Sequence, residues 1–188
     1  MRKLKMHLHI SLDGQVETGP WGLRWAIYNE AIAAHARSLT QGTDAVVYGP
    51  KTYAGMAAHW PNVPNDPKAS PGELQHASWV NAATKILVSR TASEADASWE
   101  KTILLRRAED LAEIKQQPGG DIMSFGNPRL VASCLELGLV DELHLFLNPI
   151  ILGGGAGPFA DLTQTKLQLL SSTPLDGGVL ALVYAPAG

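Results

Sequence analysis

Pro118-Gly119-Gly120-Asp121-Ile122-Met123-Ser124-Phe125-Gly126-Asn127-Pro128-Arg129-Leu130 reads as a turn, a buried strand, a tight turn and a helix start. The Pro-Gly-Gly turn introduces a strand-like run from Asp121 to Phe125. Gly126 permits a sharp bend, Asn127 is a favoured N-cap, and Pro128 suits the first helical position, where its missing N–H is not needed. Leu130, Val131, Cys134 and Leu135 give the helix an apolar face, and Gly138 closes it. A strand feeding a helix through a glycine turn aims backbone N–H groups off the end of the sheet. Such groups can hold a phosphate, though the same turn also occurs with nothing bound.

The device recurs upstream. Asp44 to Tyr48 reads as a buried strand, and it runs into Gly49-Pro50-Lys51-Thr52-Tyr53, again a glycine before a helix that begins at proline. Before it, Lys3 to Ser11 alternates around Leu4, Met6, Leu8 and Ile10, the period of a strand. Ser11-Leu12-Asp13-Gly14 ends that strand. The residues Trp21, Trp25, Tyr28, Ile32, His35 and Leu39 fall at steps of four and three, which predicts one helix from Trp21 to near Gly42. Trp21 and Trp25 serve equally as core or as the wall of a pocket for a flat ring. Prolines at 61, 64, 67 and 71 mark a surface loop.

Thr84 to Ser89 and Lys101 to Leu105 are two further strands, and Ala108 to Gln117 is a helix stopped by Pro118. Beyond the opening stretch, Asp141 to Asn148 alternates Leu143, Leu145 and Leu147 against His144, Phe146 and Asn148. Gly153-Gly154-Gly155 then makes a flexible turn. Lys166 to Ser172 and Val179 to Tyr184, joined through Asp176-Gly177-Gly178, form an antiparallel hairpin. Strand–helix units first and antiparallel strands last predict an α/β domain, residues 1–188, with a mostly parallel sheet and an antiparallel edge.

Composition narrows the function. The chain has 188 residues, 45% hydrophobic and 18% charged, with a formal net charge of −3. That is an ordinary globular balance with no electrostatic footprint for nucleic acid or an anionic membrane. No run approaches the roughly 20 apolar residues of a membrane span, and the N-terminus has no signal-peptide pattern. A cytoplasmic address is the expectation. The single cysteine, Cys134, excludes an internal disulfide and is expected as core filler. His7 and His9 share one strand face, but the six histidines offer too few clustered ligands, and no metal is expected.

Ligands of open α/β sheets bind beyond the carboxyl ends of the strands. Here those ends carry Ser11-Leu12-Asp13, Gly49 to Thr52, Ser89-Arg90-Thr91 and Gly126 to Arg129. Two helix starts, hydroxyls and cations suit an anionic ligand with several phosphates. The dinucleotide fingerprint Gly-x-Gly-x-x-Gly is missing from the first strand–helix turn, as is the P-loop pattern, so neither of those standard sites is expected.

Taken in order, Ser11-Leu12-Asp13-Gly14, Gly49-x-x-Thr52-Tyr53, Val88-Ser89-Arg90-Thr91, Pro118 to Ile122 with Gly126, Gly138 to Leu143 and Pro149-Ile150-Ile151-Leu152-Gly153 resemble the dihydrofolate reductase-like family. The likeness is to its branch with the RibD C-terminal reductase domain of riboflavin biosynthesis, and it runs from about residue 3 to 184. The resemblance implies a three-layer fold, helices on both faces of a twisted sheet, with NADPH lying across the strand ends. By position, Gly49, Lys51 and Thr52 would take the adenosine side and pyrophosphate. Ser89 and Arg90 would meet the ribose 2′-phosphate, Gly126, Asn127, Arg129 and Leu130 would cradle the pyrophosphate, and Leu12 and Asp13 would lie near the nicotinamide.

Three departures are visible. Pro50 stands where the family often has arginine, with Lys51 beside it. Asn127-Pro128 stands where dihydrofolate reductases have a second glycine, and Pro128 removes one N–H donor. The pteridine-binding carboxylate has no clear match, Glu30 lying beyond the expected place. The expected activity is NADPH-dependent reduction of a small heterocycle, carbonyl or imine, a riboflavin-pathway pyrimidine or pterin-like molecule, stacked beside Trp21, Trp25 and Tyr28. Asp13 is the nearest proton donor, with Glu17, Tyr28 and water behind it; it is equally a turn cap. The rival reading is a nucleotide-binding module without catalysis. A homodimer through Leu143 to Leu147 and Ile150 to Leu152 fits either.

Overall fold

The structure is a computed structural model that describes residues 1–16, 22–153 and 157–187. Eight strands form one sheet: β1 (Leu4–Ser11), β2 (Thr43–Tyr48), β3 (Thr84–Val88), β4 (Thr102–Leu105), β5 (Asp121–Phe125), β6 (Glu142–Asn148), β7 (Leu167–Pro174) and β8 (Leu180–Pro186). Their order across the sheet is β4-β3-β2-β5-β1-β6-β8-β7. The first six run parallel, and β8 is antiparallel to both β6 and β7. The mostly parallel sheet with an antiparallel C-terminal edge is the expected architecture.

Five α-helices flank it: α1 (Glu30–Ser38), α2 (Pro50–His59), α3 (Pro71–Ala82), α4 (Leu111–Gln116) and α5 (Pro128–Glu136). On one face Leu4, Met6, Leu8 and Ile10 of β1 pack with Ala45, Val47, Ile86 and Ile122, under Leu111 and Ile114 of α4 and Val131 and Cys134 of α5. Cys134 is fully buried, as expected of core filler, and burial pushes its thiol up to about 12. The other face carries α1, α2 and α3, and its core is divided. One cluster gathers Val46, Tyr48, Tyr53, Val80, Leu87 and Trp99; the other gathers Ile32, Phe146, Val179 and Ala181.

Several expectations need correction. The helix predicted from Trp21 to Gly42 is only Glu30–Ser38: Asn29 takes an extended conformation (φ −143°, ψ 176°), and its side chain accepts from Ile32 N at 3.0 Å, an N-cap that starts the helix there. Trp25 and Tyr28 precede it. The run 108–117 is a 3₁₀ turn, Ala108–Asp110, followed by α4. Helix α3 was not expected. Its signal is a capping box in which Ser70 and Glu73 exchange hydrogen bonds around Pro71. Finally, β6 is paired on both sides, by β1 and β8, so Leu143 to Leu147 offers no edge to a second chain.

Candidate functional site

The division of the second face begins in β1. Strand alternation sends Leu4, Met6, Leu8 and Ile10 into the aliphatic core and turns Lys5, His7 and His9 the other way. Imidazoles at the centre of a sheet interrupt hydrocarbon packing. A cavity of about 630 Å³ opens there, lined by Tyr48 of one cluster and by Ala36, which packs on the other. Its walls are Glu30, Ala33 and Arg37 of α1, Thr52, Met56 and His59 of α2, and Gly72, Glu73 and His76 of α3. One end is closed by Phe125, Gly126, Asn127 and Pro128, at the carboxyl end of β5.

Six of the lining rings touch in series. His9 meets His7 at 5.3 Å between centroids, His7 meets Phe125 at 5.4 Å, and Phe125 meets His76 at 5.7 Å. His76 then meets Trp60 at 4.4 Å, and Trp60 meets His59 at 4.7 Å. These are ordinary edge and tilted aromatic contacts, and they form an unbroken belt from the central strand to the end of α2. Burial lowers the inner imidazoles: His9 to about 4, His76 to about 4 with Arg37 adding to the effect, and His7 well below the usual range, helped by His9, His144 and His35. Near neutral pH these three rings are uncharged. The Nε2 of His7 and the Nδ1 of His9 are buried without a hydrogen-bond partner.

The turn after β5 is built differently from its sequence reading. Gly126 (φ 76°) and Asn127 (φ 61°) are both left-handed, so the chain reverses over two residues. The side chain of Asn127 does not cap α5. It reaches across to the other glycine turn, accepting from Gly49 N at 2.8 Å and donating to Ser124 Oγ and Phe125 O, each at 3.0 Å. One buried amide thus clamps the exits of β2 and β5 together. In doing so it takes the Gly49 N–H at the start of α2.

Of the residues singled out from sequence, the cavity unites Thr52, Gly126, Asn127 and Tyr28, with Gly49 one bond away. Tyr28 is 73% exposed at the mouth. Trp25 is not in the lining, and Trp21 and Glu17 lie outside the described residues. Lys51 and Arg90 are exposed, while the buried Ser89 hydroxyl accepts from Thr91 N and Ala92 N and so shapes its own turn. Arg129 faces a smaller hollow of about 360 Å³ with Gln15 and Asp161. Leu130 is part of the aliphatic core, so what it can offer a ligand is backbone.

Leu12 is 61% exposed, and its N–H donates to Ile150 O at 2.8 Å. Asp13 is held by three donors: Ser11 Oγ at 2.6 Å, Leu152 N at 3.1 Å and Gly153 N at 2.7 Å. The Ser11 hydroxyl, then these two amides, lower its carboxyl to about 2. It is a carboxylate that pins the 150–153 segment, and near neutral pH it holds no proton to give. Sequence reasoning missed the belt itself, except for the pairing of His7 with His9. It also missed the rim, where Glu30 and Arg37 form an ion pair and Glu73 is held by Ser70 N and Oγ at 2.9 and 2.7 Å. Among the described residues no group of three or more histidines, cysteines or carboxylates is placed to hold a metal, and no helix is long and apolar enough to cross a membrane.

A mostly parallel eight-stranded sheet with an antiparallel margin, helices around it and a cavity at the carboxyl ends of its central strands is a dihydrofolate reductase-like fold. The dihydrofolate reductase of Enterococcus faecalis, solved with NADP(H) and RAB-propyl, superposes with a TM-score of 0.65 at 13% identity, over 99% of this chain and 97% of that one. Within that class the chain belongs to the RibD C-terminal domain family, whose model matches residues 2–181. A putative riboflavin biosynthesis protein from Shewanella sp. PV-4 superposes with a TM-score of 0.70 at 17% identity, covering 99% of each chain. In sequence, the uncharacterized protein YyaP of Bacillus subtilis (strain 168) is 28% identical over 97% of this chain and 94% of its own length.

Proposed function

We propose that this chain is an NADPH-dependent reductase of a small flat heterocycle, carbonyl or imine. Family membership supports a reductase-like role. The observation that carries the finer reading is the meeting, in one cavity, of the left-handed Gly126–Asn127 turn and Thr52 with a belt of rings. The turn and the start of α5 suit the pyrophosphate of a dinucleotide. Val131 N closes the first helical bond onto Asn127 O, which leaves the N–H groups of Arg129 and Leu130 ahead of it. Arg90, exposed past β3, suits a ribose 2′-phosphate. When bound, the nicotinamide supplies a hydride. The chain's own part is to orient the two rings and exclude water. Asp13, held ionised, orders the neighbouring loop, and the proton comes from water or another group.

The test is titration calorimetry with NADPH and NADH. NADPH binds roughly tenfold or more tightly than NADH, the scale of one charge-assisted contact, and Arg90→Ala removes that preference. Binding of neither nucleotide refutes the reading.

A second reading is favoured by one observation. Asn127 occupies the Gly49 N–H, and Pro50 and Pro128 supply no donor, so the cradle is poorer than two helix starts allow. A nucleotide-binding module without turnover fits that. It is distinguished by NADPH binding with no oxidation by any pterin, pyrimidine or carbonyl acceptor. Self-association through the exposed Leu167, Leu169 and Leu170 of β7 fits either reading and is measured by sedimentation.

A further inference from the structure

We infer that the ring-lined part of the cavity, beside the place of the cofactor, accepts an uncharged, planar, multi-ring aromatic ligand and discriminates against one that carries a phosphate. The inference rests on the reductase reading for the place of the cofactor and goes beyond it in naming the chemistry of the second ligand.

Shape argues first. Six rings in series, His9, His7, Phe125, His76, Trp60 and His59, line the cavity in one unbroken run of edge and tilted contacts. A single small ring would cover a fraction of it. The volume of about 630 Å³ lies within the usual range for drug-sized ligands and leaves room for more than a nicotinamide. Flat π-faces lose little conformational freedom on stacking and gain area against every ring they cover.

Charge argues second. Apart from imidazoles and the phenols of Tyr28 and Tyr48, whose values burial raises, the ionisable lining groups among the described residues are Glu30, Arg37 and Glu73. Two carboxylates stand against one guanidinium, and that guanidinium is already paired with Glu30. Glu73 is held by Ser70 and stays ionised, its carboxyl lowered by those hydrogen bonds. The inner imidazoles are neutral through burial. A phosphate brings a charge of about −1.5 to −2 near neutral pH, and it needs cations or N–H groups to replace its water. The neutral inner imidazoles supply no cation, only one N–H each, and the Trp60 N–H is already given to Met56 sulfur. Chemistry of this kind rewards ring area and penalises anions.

Three probes share one ring system and separate the two factors: lumichrome has the bare rings, riboflavin adds an uncharged chain, and riboflavin 5′-phosphate adds the charge. Each is titrated into the whole protein saturated with NADP⁺, and the NADP⁺ titration is recorded first. The expected result is binding of lumichrome and riboflavin, with the phosphate ester about tenfold weaker than riboflavin. Glu30→Gln, which releases Arg37, should narrow that gap severalfold. Trp60→Ala, in the belt, should weaken lumichrome about tenfold; His59→Ala, at the outer end of the belt, serves the same purpose if the tryptophan variant folds poorly.

Equal or tighter binding of the phosphate ester overturns the inference, as does lack of binding by all three probes. Either result alongside normal NADP⁺ binding leaves the reductase reading standing. Loss of NADP⁺ binding with the order of the probes retained would instead remove that reading and keep this one.

Discussion

Replacing Asn127 by alanine and, separately, by glycine dissects the clamp between the two glycine turns. Asn127 is 6% exposed, left-handed, and makes three hydrogen bonds, to Gly49 N, Ser124 Oγ and Phe125 O. Alanine removes all three. An orphaned, poorly solvated Gly49 N–H costs about 2 kcal/mol, and the lost donors to Ser124 and Phe125 add about 1 kcal/mol after the serine hydroxyl rotates. Alanine at φ 61° costs about 1 kcal/mol more than asparagine, which tolerates that region. Asn127→Ala therefore destabilises by about 4 kcal/mol, a drop of about 8 to 16 °C in Tm for a chain of this size. Asn127→Gly loses the same bonds but is at ease in the left-handed region, so it falls short of alanine by about 1 kcal/mol. Urea unfolding followed by tryptophan fluorescence reads both as shifts in midpoint at constant slope. If the two variants are equal, the backbone conformation contributes nothing. If both lie within about 0.5 kcal/mol of wild type, the clamp is no clamp.

Acid should unfold this protein early. His7, His9, His35, His76 and His144 all have lowered values, through burial first in each case. The unfolded chain then takes up protons that the folded one refuses. The stability is fully present above about pH 6.5 and is lost as pH falls through the folded values, about 4 for His9 and His76. From these two alone, stability falls by roughly 3 kcal/mol or more between pH 6.5 and 5, and a urea midpoint unchanged over that range would refute it. Cys134, fully buried and with its thiol raised to about 12, should be silent to a thiol reagent in the folded protein and react fully in urea. Rapid labelling without unfolding would show that α5 opens locally.

The strand–glycine–helix devices were legible because each is local: β5 and α5 span Asp121–Phe125 and Pro128–Glu136, where a turn, an apolar run and a proline signal one another over a few residues. The hairpin of β7 and β8 was legible for the same reason. The long helix from Trp21 failed because a three–four spacing of apolar residues continued by chance through a segment that Asn29 caps off. Helix α3 was missed because only Ala77 and Val80 of it are buried, which leaves almost no apolar period to read; its capping box was the available signal. The belt could not be read from the chain. Its rings come from β1, β5, α2, α3 and the residue after α2, and they become neighbours only when β1 and β5 pair at the middle of the sheet. The clamp is hidden likewise, since Asn127 meets Gly49 across 78 residues. A side chain that reads as a local cap was spent on a distant partner.

Strand β1 puts two independent histories on one short piece of chain. Its odd and even positions answer to different demands: Leu4, Met6 and Leu8 must fit a close-packed aliphatic interior, where a change of one methylene is felt. His7 and His9 face a space with room in it. Substitution on the open side can therefore alter the lining of the cavity while the packed side is inherited untouched. A lineage built on this strand is free to reshape its cavity without first having to rebuild its fold.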